Sequence, residues 1–203
     1  MNEALSTSFT AFAGDRLLAS GALAEVAIAV KMASGGNVPA PIVIFDDASG
    51  RPIDLDLRGS HRDIVARLPQ PVVAESAPPA PRGPGRPKLG VVAREVTLLP
   101  RHWEWLNARP GGASVALRKL VDDARRANAD RDRQRAARDA AYHFMSAMAG
   151  DRPGFEEASR ALFADDTARF ADLTAAWPAD IRDHIGRLMA AAGSHSGTPA
   201  APG

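Results

Sequence analysis

Between Pro69 and Pro87 the chain places seven of its sixteen prolines, with Gly83 and Gly85 among them. Proline fixes its own φ and donates no backbone hydrogen bond, so neither a helix interior nor a central strand runs through such a stretch. The 203 residues could therefore fold as one domain, or as two small ones joined through this segment. Residues 69–90 read as a Pro/Gly-rich basic linker of extended backbone.

Before the linker, residues 8–68 read as a small α+β module. Phe9 and Ala11, the Gly14-Asp15 turn and Arg16 to Ala19 predict a hairpin. Leu23, Val26, Ala27, Val30 and Lys31 follow at helical spacing until Gly35-Gly36-Asn37 stops them. The apolar run Ile42 to Phe45 predicts a buried strand, and the turn 47–52 leads into a second one over Ile53 to Leu57. That strand alternates apolar residues with Asp54 and Asp56. Ser60 is suited to cap a helix burying Ile64, Val65 and Leu68.

After the linker, residues 94–99 predict a short strand, Pro100 the start of a helix to about Ala108, and Pro110-Gly111-Gly112 a break. Ser114 is placed to cap a second helix with Leu117, Leu120, Val121 and Ala124 on one stripe. These elements form a segment over 91–128, followed by a helical C-terminal region over 129–192 and a frayed tail over 193–203. The fold class expected is α+β: hairpin, helix and hairpin, then a linker, a short strand and mostly helices.

Charge divides the chain in the same place. Arg82 to Arg138 carries 14 Lys/Arg against 6 Asp/Glu, a net of +8, while the rest carries 11 against 18, a net of −7. A basic centre between acidic flanks is the electrostatic footprint of a protein that meets a polyanion, most often nucleic acid.

Two patterns sit inside that block. Arg82-Gly83-Pro84-Gly85-Arg86-Pro87-Lys88 resembles the AT-hook, whose flat Gly/Pro backbone lays arginines on the minor-groove floor of A/T-rich DNA. Pro84 stands where the motif has its first arginine, so a solvated basic linker is the competing reading. The run from Arg94 through the Gly-Gly turn to Val121 resembles the ribbon-helix-helix fold of bacterial repressors. The resemblance implies a homodimer whose paired strands enter the major groove, with Gly112, Ala113 and Ser114 at a phosphate clamp. Leu99, just before Pro100, falls inward in that pattern, but Thr97 and Glu95 then fall inward too, and Val96 and Leu98 face the bases. Either the register is offset by a bulge or the segment is an ordinary strand and helix pair. Trp103 and Trp105, about 200° apart on a helix, are expected to divide between the core and a partner or half-exposed surface.

Other chemistry is sparse. With no cysteine, the chain has no disulfide, thiolate zinc site or iron–sulfur cluster, and a reducing cytoplasm is expected. The first thirty residues lack the pattern of a secretory signal, and no apolar window is long enough to span a bilayer. Asp46, Asp47, Asp54 and Asp56 offer hard-cation ligands, though a solvated acidic sheet face is the simpler reading. His61, His102, His143, His184 and His195 lack ligand or triad spacing. Neither a cofactor nor a small-molecule substrate is indicated.

Long matches run through Phe45 to Arg51, Gly85 to Gly90, Arg94 to Trp105, Gly111 to Arg118 and Glu156 to Phe163. By them the chain resembles, over nearly all of 8–190, the bacterial family catalogued as domain of unknown function 2239; the resemblance implies no particular activity. The function expected is a non-enzymatic, dimeric DNA-associated protein, with Arg82, Arg86, Lys88, Arg94, Thr97, Arg101, Ser114, Arg118 and Lys119 on DNA and Arg125 and Arg126 as further phosphate contacts. The alternative is an adaptor whose basic helices bind an acidic protein.

Overall fold

A computed structural model describes residues 8–36, 40–69, 92 and 94–191. The chain is α+β and divides into two units, one gathering residues up to Leu68 with those from Asp130 onward, the other running from Pro69 to Ala129.

In the first unit, β1 (Phe9–Ala13), β2 (Arg16–Gly21), β3 (Ile42–Asp46) and β4 (Arg51–Ile53) form an antiparallel sheet in the order β2-β1-β3-β4. Side chains alternate across the sheet, which sorts the strands' residues between two cores. Ala11 and Ile44 face α1 (Leu23–Ser34), meeting Val26 and Val30. Phe12 and Phe45 face the opposite way onto Phe144, Met145, Trp177, Ile181 and Ile185. Those residues belong to the last part of α4 (Gly112–Ala149), to α7 (Ala179–Ala190) and to the turn before it; α5 (Phe155–Phe163) and α6 (Thr167–Thr174) complete this layer. The sheet is thus covered on both faces, and its register between β1 and β2 shifts at Ala11/Phe12, where Leu18 is the extra residue.

Close approach sets one glycine. Gly50 holds φ at +65° in the β3–β4 turn, and a Cβ there would overlap the Ala140 carbonyl of α4. Only glycine lets this turn lie on the helix backbone.

Ser60 caps α2 (His61–Arg67) as expected, accepting from the Asp63 N–H, and Ile64 is buried. The second hairpin strand is shorter than its alternation predicts. It ends at Ile53, and residues 54–58 leave the sheet while Leu55 and Leu57 still pack against the α1-side core. Alternation records which side chains are buried, not whether the backbone keeps a ladder partner.

In the second unit, Pro100 occupies the first turn of α3 (Pro100–Asn107), and Gly111 and Gly112, at φ +89° and +73°, turn the chain into α4. Two successive left-handed residues demand glycine here. Residues 94–99 form no strand, because no ladder partner for them exists among the described residues. Helix α4 begins at Gly112, so Ser114 lies in its first turn rather than at its cap. It continues for 38 residues without a break near Asn128. The linker from residue 70, with Arg82, Arg86 and Lys88 of the hook-like motif, and the tail from residue 192 lie outside the described residues.

Candidate nucleic-acid interface

The first two turns of α4 carry Val115, Ala116 and Leu117 inward and Arg118 and Lys119 outward. At 100° per residue Arg118 and Arg125 share one line along the helix, and Lys119 and Arg126 lie about 100° round from them. The apolar stripe Leu117, Leu120, Val121 and Ala124 occupies the other side. This separation follows from the sequence alone, and the structure keeps every residue from Arg118 to Asn128 exposed.

The decisive question for a polyanion site is whether these cations are already neutralised. Arg94, Arg101, Arg118, Lys119 and Arg125 are exposed and have no carboxylate within 4.0 Å among the described residues. Arg126 and Arg133 pair with Asp123 and Asp130 one turn back on their own helix. Exposed pairs of this spacing contribute little, so they leave a cation open to exchange partners. Among the described residues of the block, Arg138 alone reaches an acidic residue elsewhere in the chain, Asp165 at 2.7 Å.

Arg109 lies over the Trp105 ring at 3.9 Å, a cation–π contact that leaves Trp105 47% exposed. Trp103 is half-buried, so the two indoles divide as their spacing dictates. Thr97 and Ser114 are both exposed. Leu98 is the residue turned inward, lining a shallow apolar hollow with His102, Trp105, Leu106, Leu117 and Leu120, whereas Leu99 stays 47% exposed. This reverses the side expected of Leu99.

Of the four acidic candidates, Asp54 is exposed, and the other three are committed within the protein. Asp46 accepts from the Ala48 N–H and the Ser49 hydroxyl, and Asp47 from the Thr10 hydroxyl. Asp56 pairs with Arg58 and Arg67, and the Arg58 guanidinium holds its carboxyl well below the ordinary carboxylate range. No cluster of three metal-ligating side chains occurs among the described residues.

One buried polar group escaped the sequence reading. His184 lies between Phe12 and Phe144; Nδ1 faces the Arg187 guanidinium at 3.2 Å, and Nε2 faces Asp47 Oδ1 at 3.4 Å without hydrogen-bond alignment. Asp47 Oδ2 continues to Thr10 and Ser20. Its position on the buried stripe Ile181, Ile185, Leu188 was the available sign. The two ring nitrogens thus face a guanidinium and a carboxylate, not a hydroxyl or thiol.

The fold and this surface define an α+β protein with a four-stranded antiparallel sheet, a mostly helical second half and an exposed basic helix pair. Residues 8–189 match the family described as "Uncharacterized protein conserved in bacteria (DUF2239)", and the chain belongs to that family. Among curated proteins and among solved structures nothing matches the chain. No helix among the described residues is long and apolar enough to cross a membrane.

Proposed function

We propose that this chain is a non-enzymatic, cytoplasmic DNA-associated protein that acts as a homodimer, its second unit working in the manner of a ribbon-helix-helix regulator and its linker in that of an AT-hook. The observation that carries the reading is the group of exposed basic residues, Arg94, Arg101, Arg118, Lys119 and Arg125, left without carboxylate partners among the described residues. Cations not already paired are those that displace counterions from a phosphate backbone. The Gly112 N–H is taken by the Arg109 carbonyl, which leaves the amide groups of Ala113 and Ser114 in the first turn of α4 as the further phosphate contact. Thr97 or Arg94, according to which face of the segment meets the bases, provides a base-edge donor, and Arg82, Arg86 and Lys88 the minor-groove contacts.

The test is fluorescence anisotropy of labelled duplexes against the intact protein over a salt series. With about six phosphates engaged, log affinity falls with log salt at a slope of roughly −5. Replacing Arg118 and Arg125 together by Ala brings the slope to roughly −3, since each lost phosphate contact removes about 0.9. Arg86→Ala removes a preference for A/T-rich over G/C-rich duplex if the hook is used. A flat salt response, or no duplex binding at low salt, overturns the proposal.

A second reading, an adaptor for an acidic protein, draws on the apolar hollow at Leu98, Trp105 and Leu120 beside the cations. It predicts no duplex binding and salt-sensitive capture of an acidic polypeptide.

A further inference from the structure

In the first unit α5, α6 and α7 line an open pocket of about 320 Å³ whose walls are mainly apolar, with Leu162 from α5, Phe170 from α6, and Ile185 and Met189 from α7. Pockets that hold small ligands begin at about this size, and at roughly 30 Å³ per water the space equals about ten water molecules.

Two features set this cavity apart from a packing gap. Gly186 lines it from the middle of α7, and a Cβ at that position would meet nothing within 4 Å. Glycine inside a helix is less favourable than alanine, and no close approach within the chain requires it here. Its effect is to keep the wall open. Arg182, one turn earlier on the same face, also lines the cavity and has no carboxylate within 4.0 Å among the described residues.

The acidic residues at the mouth are occupied. Asp165, held at φ +61°, pairs with Arg138, and Asp166 caps α6 by accepting from the Arg169 N–H. Arg182 is thus the cation of the lining left without a carboxylate partner among the described residues, the Asp166 carboxylate keeps its charge at its cap, and the body behind them is apolar.

We propose that the α5–α6–α7 cavity binds a small amphiphilic carboxylate, an alkyl or aryl acid of about ten non-hydrogen atoms, with its carboxylate on the Arg182 guanidinium and its hydrocarbon body over Gly186. A planar guanidinium offers two parallel N–H donors that match the two oxygens of a carboxylate. The site lies in the unit that does not carry the basic surface, so it stands or falls independently of DNA binding.

The test is calorimetric titration of the intact protein with sodium octanoate, with 1-octanol as the uncharged control. The expected result is saturable 1:1 binding of octanoate, weakened about tenfold by Arg182→Gln while 1-octanol is unaffected. Gly186→Leu places a side chain in the open space and abolishes both. A stoichiometry well above one, octanoate affinity unchanged by Arg182→Gln, or undiminished binding by a folded Gly186→Leu protein overturns the proposal. Because Arg182 is exposed, its variant folds and keeps the test decisive even where Gly186→Leu does not fold.

Discussion

Among the described residues His184 is the one titratable side chain of the core, 2% exposed between two phenylalanine rings. Burial pushes its pKa down from 6.5 to about 4, with Arg187 adding to the depression and Asp47 opposing it. Between those values the unfolded chain binds a proton that the folded chain refuses, so stability rises with pH across the window. The contribution is complete above about pH 6.5 and is lost as pH falls toward 4, amounting to about 3 kcal/mol at most. Urea midpoints measured from pH 4 to 7 show this slope in the wild-type protein. His184→Gln, which leaves a polar amide in place of the ring without titrating, flattens it. Equal slopes in the two proteins would mean that His184 charges freely in the fold. From sequence, His184 is one of five scattered histidines, because its aromatic neighbours arrive from β1 and α4, far along the chain.

At the scale of elements, the sheet's two edges are protected differently. β4 is three residues long and contains Pro52, which donates nothing outward. β2 is longer, and there the Leu17 N–H donates to Asp180 Oδ2 of α7 at 2.8 Å. That bond satisfies an edge donor, ties the strand to the helix layer, and places a carboxylate in the first turn of α7, where the helix dipole favours it. Asp180→Ala is expected to cost about 1–2 kcal/mol and to raise the hydrogen-exchange rate of the Leu17 amide while other β1–β2 amides keep their protection. Uniform loss of protection across the hairpin would assign Asp180 a global role instead. Such a contact spans 163 positions and leaves no mark in local pattern. What was legible at this scale was periodicity: the first hairpin, α1, β3, the Ser60 cap and the Pro100 helix start all follow from spacing and cap chemistry. Where a backbone partner decided the outcome, as at residues 54–58 and 94–99, spacing alone overstated the strand.

For the whole molecule, burial is unevenly shared between the units. The first has two cores on either side of its sheet. The second, among its described residues, buries only Leu106 and Ala116 as hydrophobic core, yet contains Val92, Val96, Leu99, Trp105, Leu120 and Val121, six of the eight large hydrophobics exposed in the described chain. A helix pair with so little apolar area removed from water does not hold its own fold against chain entropy. Sequence reading foresaw amphipathic helices here, but a helix wheel cannot say whether its apolar face meets the same chain or another. The stripe Leu117, Leu120, Val121 and Ala124 and the backbone of 94–99 supply what a two-fold contact between copies needs, a self-complementary apolar seam and a segment without a ladder partner of its own. On the proposed reading, sedimentation equilibrium gives twice the mass of the chain. Changing Leu120 and Val121 together to Asp yields a monomer, because four carboxylates brought to one seam carry both repulsion and desolvation costs. The same variant loses duplex binding even though every arginine and lysine is retained, while thermal unfolding of the sheet unit stays near its wild-type midpoint. A wild-type chain that sediments as a monomer at micromolar concentration removes the second copy from the account. A variant that remains dimeric moves the interface away from α4.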